Sequence, residues 1–357
     1  MALLKVPNVE IKGIAAAVPL KTIDNLHSKS QISKNYTNQE FVDQTGVRQR
    51  RVDANLTASD LGFAAANKLL EQLNWDKKEI DALVFVSQFF DFVAPATACI
   101  LQDRLGLPKD CLAFDMELGC SGWVYGLSVL SAYLQSGCIK KALLIVGDGK
   151  RNYENSEKYN GALFGHAAAV TALEFNENCE PLTFQLGSDG SGYQALMVKG
   201  GGARFPFNRH SLDEYEAEGE ITTDLSSRMN GMDVFSFGIS TAPKSIKKLM
   251  KEIKKEPTDA DYLILHQANK QMNDIIVKKL KFDPDKVPES LSIFGNTSSA
   301  SIPLTIVTNL KETLSKGKHS LLCCGFGIGL SWGSLFCNVE DLVIPDLVEV
   351  ESHETML

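Results

Sequence analysis

The sequence lacks an excess of positive charge and has no long apolar run. Its 36 Lys and Arg residues are outnumbered by 44 Asp and Glu residues, which gives a net charge of −8. Because nucleic-acid binding needs a basic surface, we do not expect nucleic acid as a partner. No uncharged apolar run reaches the roughly 18 residues that suggest a transmembrane helix, so we expect no membrane partner either.

The cysteines lack the spacing of a metal site or of a disulfide framework. There are eight of them, and none forms a Cys-x-x-Cys pair. Residues 1–20 are apolar but are interrupted by Lys5, Glu10 and Lys12, so we interpret them as an opening strand rather than a signal peptide. These features predict a protein of the reducing cytoplasm that holds no metal ion.

The pattern that is present is typical of an α/β protein. The chain has 357 residues, of which 44% are hydrophobic, enough for one large α/β domain or two fused domains. Continuous apolar runs at 80–87 and 140–147 predict strands that are buried on both faces of a parallel sheet. Apolar residues at helical spacing predict helices over 59–73 and 97–105.

The segment 112–137 combines a predicted strand, a Gly-Cys-Ser-Gly turn and a predicted helix. Trp123, Leu127, Leu130 and Leu134 share one helix face, which is therefore predicted to be buried. Cys120 lies where the strand gives way to this helix. The free N–H groups and the dipole of the helix end favour a thiolate, so we expect a lowered pKa and a nucleophile. The alternative is a buried, inert core cysteine.

The second half of the sequence repeats the pattern of the first. The strand and polar end at 84–88 precede Gly119-Cys120 by nearly the same interval that separates 263–267 from Gly295-Asn296. This order predicts a duplicated βαβ-rich unit, with one half at 1–176 and the other at 177–357. Cys120 and Asn296 would then occupy matching positions at the meeting point of the two halves.

Three further features point to chemistry at that meeting point. His266 directly follows a predicted strand, at the edge where open α/β sheets place ligands. Asn296 follows a glycine, a pair that is more often a simple turn. Residues 325–333 are rich in glycine, and their exposed amides could hold an oxyanion. A lone His at a strand end is also more often structural, so the features carry weight only together.

Together these motifs resemble the thiolase-like condensing enzymes, and most closely the β-ketoacyl-acyl-carrier-protein synthase III family. The residues that carry the resemblance are Thr45-Gly46-Val47-Arg48, Gly119-Cys120, His266-Gln267-Ala268-Asn269, Gly295-Asn296-Thr297-Ser298 and 326–334. The resemblance covers nearly the whole chain. It implies an α/β fold of the thiolase-like αβαβα five-layered type, a homodimer, and a catalytic triad of Cys120, His266 and Asn296.

The resemblance also implies a two-step acyl transfer. Cys120 takes an acyl group from a coenzyme A or phosphopantetheine thioester, and the amides of Cys120 and Ile328 hold the oxyanion. Malonyl-acyl carrier protein then loses carbon dioxide, while His266 and Asn296 donate hydrogen bonds to the developing enolate. The carbanion attacks the acyl-cysteine and gives a 3-oxoacyl product. No metal or organic cofactor is implied.

Departures from the family pattern bear on the substrate. Glu40 and Gln44 stand where close relatives hold the adenine of coenzyme A, which favours a carrier-bound acyl donor. Phe92 and Ala94 lie where a bulky Phe limits the acyl pocket, so a longer or branched chain could fit. Lysines at helical spacing, together with lysines that follow the His266-Gln267-Ala268-Asn269 motif, predict a docking face for an acidic carrier protein, with a solvated helix face as the alternative. They are Lys244, Lys248, Lys251, Lys270 and Lys278.

Two regions have no assigned chemistry, and two other functions remain open. The polar, acidic segment 200–230 is interpreted as an excursion over the active-site mouth or the subunit boundary, or as a surface loop, and the chain ends in an acidic tail. One alternative is transfer of the acyl group to an oxygen or nitrogen nucleophile without decarboxylation. The other is a non-catalytic scaffold subunit that pairs with an active homologue.

Overall fold

The computed structural model describes residues 2–28, 37–149, 159–217 and 220–352. The strands are β1 (Ala2–Val6), β2 (Val9–Pro19), β3 (Thr22–Asp24), β4 (Gln49–Arg51), β5 (Ala82–Ser87), β6 (Leu112–Glu117), β7 (Lys141–Asp148), β8 (Ala167–Phe175), β9 (Leu182–Ser188), β10 (Leu196–Val198), β11 (Tyr215–Ala217), β12 (Glu220–Thr222), β13 (Ser227–Met229), β14 (Tyr262–Leu265), β15 (Lys318–Gly327), β16 (Ser331–Glu340) and β17 (Val348–Val350). The helices are α1 (Asn38–Thr45), α2 (Ala58–Leu73), α3 (Thr97–Leu105), α4 (Gly122–Leu134), α5 (Tyr159–Leu163), α6 (Gly231–Glu252), α7 (Lys270–Leu280), α8 (Leu291–Phe294), α9 (Ser301–Asn309) and α10 (Lys311–Leu314).

Two large sheets share four strands in the same order and with the same directions, which confirms the predicted duplication. The first has the order β17-β2-β8-β7-β5-β6, and the second has the order β1-β9-β16-β15-β14. Within the first sheet, β2 and β7 both pair antiparallel with β8, and β7 pairs parallel with β5. Within the second, β9 and β15 both pair antiparallel with β16, and β15 pairs parallel with β14.

The two ends of the chain exchange between the sheets. β1 pairs with β9 in the second sheet, and β17 pairs with β2 in the first. The boundary between 176 and 177 falls between β8 and β9, but each sheet takes one strand from the far end of the chain. The acidic tail therefore contributes a strand to the fold.

Helices separate and cover the two sheets. Between them, α4 contacts β5 and β7 of the first sheet and β15 and β16 of the second, and α9 contacts β2 and β14 in the same way. One apolar core runs through this central layer and reaches both sheets. A second core places α2 and α3 on the outer face of the first sheet, and a third places α6 and α7 on the outer face of the second. This arrangement is the predicted five-layered αβαβα fold.

Local sequence accounts for the elements next to the site. The predicted buried face of α4 is formed by Trp123, Leu127, Leu130 and Leu134, each at most 1% exposed. The apolar run that precedes Gln88 forms β5, which is buried throughout and pairs parallel with β6 and β7 on its two sides. Burial on both faces explains why this strand shows no alternation of polar and apolar residues.

The segment 200–230 contains short strands rather than one irregular loop. β11 pairs with β12, and β13 returns to pair with β10, so the chain reaches the start of α6 by way of two small antiparallel ladders.

Among the residues that the structure describes, no helix is long and apolar enough to cross a membrane.

Candidate active site

Cys120 lies between the end of β6 and the start of α4, and it is 8% exposed. Its sulfur is packed against Gly327, the last residue of β15. A Cβ atom at Gly327 would lie 2.8 Å from Cys120 Sγ, closer than real contacts allow. The absence of a side chain at Gly327 therefore leaves the space in which the thiol sits.

The expectation of a lowered pKa at Cys120 is wrong in this structure. Burial is the largest influence and raises the pKa of the Cys120 thiol to about 12. The Ser298 hydroxyl and the backbone N–H groups of Cys120 and Ile328 act in the opposite direction but do not outweigh it. The resting nucleophile is a neutral thiol, so its proton has to leave as the sulfur attacks.

His266 follows β14, as its position in the sequence predicts. The residue is 1% exposed, its N–H donates to the Cys324 carbonyl at 2.8 Å, and its ring meets the Phe326 ring edge-on at 5.6 Å. Ring Nδ1 lies 2.7 Å from the Ser301 hydroxyl. Burial lowers the pKa of His266 to about 3, so the imidazole is neutral at physiological pH. A neutral imidazole offers one donor and one acceptor.

Asn296 is fixed by the chain that leads into β8. Its N–H donates to the Leu163 carbonyl at 2.9 Å, and its carbonyl accepts from the Gly165 N–H at 3.1 Å. Gly295 before it has a φ of 68°, in the left-handed region, and a Cβ there would lie 2.9 Å from the Leu163 oxygen. Both facts require glycine at 295. Asn296 thus forms an isolated parallel β-bridge with Phe164, and it is 5% exposed.

Ser298 brings the three predicted triad residues together. Its Oγ lies 3.9 Å from Cys120 Sγ, its N–H donates to Asn296 Oδ1 at 2.9 Å, and its backbone hydrogen-bonds His266. Ser298 also has a φ of 51°, in the left-handed region. In the sequence, this serine stands out only as part of the Gly295-Asn296-Thr297-Ser298 motif. The three residues thus surround one turn of chain between Asn296 and α9.

Two more polar residues of the site were missed from the sequence. Asp148 ends β7, is 7% exposed, and accepts hydrogen bonds from Ser87 Oγ at 2.9 Å and from the Gln88 N–H at 2.7 Å. Gln88 Nε2 donates to Asp148 Oδ2 at 3.2 Å and to Ser298 Oγ at 3.1 Å. A signal for them exists in the sequence, because Gln88 directly follows β5 and Asp148 ends the neighbouring parallel strand β7, just as His266 directly follows β14 in the second sheet.

The predicted pocket and docking residues lie at the surface of the chain. Phe92 is 49% exposed, and Ala94 beside it is also exposed, in the loop between β5 and α3. The five lysines are all exposed. Lys244, Lys248 and Lys251 lie on α6, while Lys270 and Lys278 lie on α7, which packs against α6. The Lys270 ammonium pairs with Asp274 at 3.0 Å.

This arrangement is suited to acyl transfer through a covalent thioester. A buried thiol, a neutral imidazole and two backbone N–H groups at the sulfur provide a nucleophile, a proton acceptor and oxyanion donors. The two central helices, α4 and α9, begin just after Cys120 and just after Ser298, so residues from both halves of the duplicated fold meet there. The fold and the site together define a thiolase-like condensing enzyme.

Comparison with known proteins specifies the family. The family model described as 3-oxoacyl-[acyl-carrier-protein (ACP)] synthase III matches residues 114–190, and the model of its C-terminal part matches 250–339. A β-ketoacyl-[acyl-carrier-protein] synthase III of Streptococcus pneumoniae serotype 19F is 34% identical over 334 residues, 92% of this chain and 99% of that protein. A putative 3-oxoacyl-[acyl-carrier-protein] synthase 3 of Campylobacter jejuni is 36% identical over 310 residues, 85% of each chain.

A solved structure agrees with these sequence matches. The crystal structure of a 3-oxoacyl-(acyl-carrier protein) synthase from Burkholderia xenovorans LB400 superposes with a TM-score of 0.88 at 35% identity, over 98% of this chain and 99% of that one. The chain belongs to the β-ketoacyl-acyl-carrier-protein synthase III family, as its motifs predicted. It is an acyltransferase of the condensing class.

Proposed function

We propose that this enzyme condenses an acyl group held on Cys120 with malonyl-acyl carrier protein, releases carbon dioxide and forms a 3-oxoacyl-carrier product. The convergence of Cys120, His266 and Asn296 on Ser298 is the observation that carries the proposal. The names of the similar proteins support the carrier as partner. No metal or organic cofactor takes part in the proposed reaction.

The first step transfers the acyl group to the thiol. Cys120 Sγ attacks the thioester carbonyl and gives its proton to His266, while the N–H groups of Cys120 and Ile328 stabilise the oxyanion. The bond to the donor sulfur then breaks, and the donor thiol leaves with the proton from His266. Proton transfer has to accompany the attack because burial disfavours the charged form of both groups. It raises the pKa of the Cys120 thiol to about 12 and lowers the pKa of His266 to about 3, so the two do not exchange a proton at rest.

The second step needs His266 as a donor rather than an acceptor. When the malonyl group loses carbon dioxide, negative charge develops on the thioester oxygen, and His266 Nε2–H and the Asn296 side-chain amide stabilise it. The enolate carbon attacks the acyl carbonyl, the bond to Cys120 sulfur breaks, and the departing thiolate takes up a proton from water to restore the thiol. The Ser301 hydroxyl, 2.7 Å from Nδ1, serves both steps because a hydroxyl either accepts from Nδ1–H or donates to Nδ1.

A carrier-bound acyl donor is the better candidate than coenzyme A. Glu40 accepts the Thr37 N–H at 2.7 Å in the capping box of α1, so this side chain is committed to the helix end. The exposed lysines of α6 and α7 form a positive surface on a net acidic protein, which suits an acidic carrier. We propose Lys244, Lys248, Lys251, Lys270 and Lys278 as that surface.

A twofold partner is proposed at the edge of the first sheet. β6 is the edge strand there, with Leu112 39% exposed and the rest of the strand only partly covered. Tyr133 of the central helix α4 is 46% exposed and packs its ring edge-on against Phe114 of β6. An apolar edge strand of this kind is usually covered. The homodimer would also cover Phe92 and Ala94 and so complete an acyl pocket.

The proposed location is the cytoplasm. All eight cysteines are free thiols, including the exposed Cys99 and Cys138. Exposed thiols persist in a reducing compartment.

Mass spectrometry of the intact protein tests the proposal. The enzyme and its Cys120→Ala variant are incubated with a panel of acyl-coenzyme A and acyl-carrier thioesters. We expect an acyl adduct only where Cys120 is present, and release of carbon dioxide when malonyl-acyl carrier protein is added. An adduct that passes to an oxygen or nitrogen nucleophile without carbon dioxide would favour the non-decarboxylating transferase, and no adduct from any donor would favour the scaffold subunit.

A further inference from the structure

Asp148 is a buried carboxyl group that the two reaction steps do not use. Three protein groups donate to it: Ser87 Oγ and the Gln88 N–H to Oδ1, and Gln88 Nε2 to Oδ2. The Ser298 hydroxyl is also within its reach. Burial of an acid at the end of β7, beside the nucleophile, is costly unless these donors compensate. The position therefore calls for a role in the site.

The hydrogen bonds around Asp148 have a fixed direction. Burial raises the pKa of Asp148, but the hydrogen bonds from Ser298, Gln88 and Ser87 act in the opposite direction and favour the carboxylate. A carboxylate only accepts, so Gln88 turns its NH₂ group, and not its carbonyl, toward Oδ2. The same nitrogen then donates its second hydrogen to Ser298 Oγ at 3.1 Å. Because Ser298 Oγ accepts there, its own proton can point to Asp148 or to Cys120 Sγ, 3.9 Å away. The carboxylate thus sets the polarity of a chain that ends at the sulfur.

We propose that Asp148 is a positioning residue which, through Gln88, holds the Ser298 hydroxyl ready to donate to Cys120 Sγ as negative charge forms on the sulfur. This inference rests on the proposed function, since it concerns the same nucleophile. It assigns Ser298 the role of a third donor to the sulfur, beside the N–H groups of Cys120 and Ile328. Asp148 itself does not touch substrate in this scheme.

A rival explanation predicts the opposite sign. The negative charge of Asp148 also raises the pKa of Cys120 through space. If charge were its only effect, removing it would make the thiol more reactive. If Asp148 positions Ser298, removing it makes the thiol less reactive, because the lost donor outweighs the lost repulsion. His266 also contacts Ser298, but its imidazole is neutral, so it adds no charge effect that would alter either expectation.

Asp148→Asn separates the two explanations with little change in volume. The carbonyl oxygen of the substituted amide would keep the bonds from Ser87 and from the Gln88 N–H, but its NH₂ group would face Gln88 Nε2. Gln88 is then forced to turn its carbonyl inward, and this carbonyl captures the Ser298 proton. The substitution therefore leaves the fold intact and reverses the polarity that the proposal depends on.

The experiment measures how fast iodoacetamide labels Cys120, by peptide mass spectrometry across a range of pH. The exposed Cys138 serves as an internal reference for folding and reagent. We expect Asp148→Asn to slow labelling of Cys120 by about tenfold, the size typical of a lost hydrogen bond to a charged group. Ser298→Ala should slow it similarly, and Asp148→Asn should add no further slowing in that background.

A matched control and the opposing results complete the test. Asp261→Asn removes a carboxylate that accepts from Ser320 at the start of β14, the end opposite His266, and should leave labelling of Cys120 unchanged. Unchanged or faster labelling in Asp148→Asn would overturn the proposal. Labelling requires no acyl substrate, so this result stands apart from whether the condensation itself is observed.

Discussion

The hydroxyl oxygen of Ser298 lies 3.9 Å from the sulfur of Cys120, although the two residues are 178 positions apart. Cys120 belongs to the first half of the duplicated fold and Ser298 to the second. Each lies just before the central helix of its own half, α4 or α9. The contact therefore exists only because the two halves pack face to face, and it places the nucleophile, His266 and Asn296 around a single turn.

Gly327→Ala is expected to disable the nucleophile without unfolding the protein. The new Cβ would lie 2.8 Å from Cys120 Sγ and 2.7 Å from Cys120 Cβ, so the thiol has to move away from its donors. A displacement of this size can lower the rate of acyl transfer on the order of a hundredfold. The effect is measured as the rate at which Cys120 becomes acylated, monitored by intact mass spectrometry.

Gly190→Ala is the matched control for this prediction. A Cβ at Gly190 meets no atom within 4 Å, so acylation should proceed at the wild-type rate. Full acylation of Gly327→Ala would show that the sulfur does not need the position that it has here.

His266 is expected to make the protein less stable in mild acid. Its pKa is about 3 when folded, against an ordinary value of 6.5, so between these values the unfolded chain binds a proton that the folded chain excludes. The free energy of unfolding then falls with decreasing pH, by about 1.4 kcal/mol per unit from this group, and is unaffected by it above 6.5. Urea denaturation of the wild type and of His266→Gln on both sides of pH 6.5 measures it.

The variant should lose stability less steeply than the wild type as the pH falls below 6.5. Carboxylates titrate in both proteins, so the difference between the two slopes isolates the imidazole. Parallel curves would mean that the imidazole reaches solvent and takes up a proton in the folded state.

Local patterns carried most of the fold and the choice of the three residues that the structure brings together. The run that forms β5 and the apolar stripe of α4 are encoded within a few turns of chain, and the order of motifs placed Cys120, His266 and Asn296. The pKa of Cys120 was predicted in the wrong direction because burial depends on strands that lie far away in sequence. The sequence shows the helix end that favours a thiolate, but it does not show the enclosure that opposes it.

The residues missed from the sequence share one physical cause. Gln88 and Asp148 are 60 positions apart, and Gln88 and Ser298 are 210 apart, so no local periodicity links them. They meet because β5 and β7 are neighbours that end at the same edge. The exchange of β1 and β17 between the sheets was missed for a similar reason, since short end strands have little pattern of their own.

Tyr133→Glu is expected to prevent dimerisation. Tyr133 is 46% exposed beside the edge strand β6. A carboxylate on the proposed twofold surface would lie near the same carboxylate of the partner subunit, and the two like charges would repel each other. We expect the mass measured by sedimentation to fall from that of two chains to that of one. Leu4→Glu is the control, because Leu4 is 37% exposed on β1, the edge strand of the other sheet, and its substitution should leave the mass unchanged. A wild-type protein that already sediments as one chain would contradict the homodimer.

Reversing the charge of Lys244, Lys248 and Lys251 together is expected to weaken binding of the carrier but not of small thioesters. The three side chains are exposed on α6, outside the buried site, so they act on the carrier surface and not on the reacting atoms. Three lost attractions of this kind should raise KM for malonyl-acyl carrier protein by about tenfold at low salt. KM for the malonyl thioester of pantetheine should not change, and the increase in KM for the carrier substrate should shrink as salt screens the charges.

Lys316→Glu, in the exposed loop before β15, is the matched control. An equal loss with both substrates would mean that the lysines act on the fold or the site, and an unchanged KM would move the docking surface elsewhere.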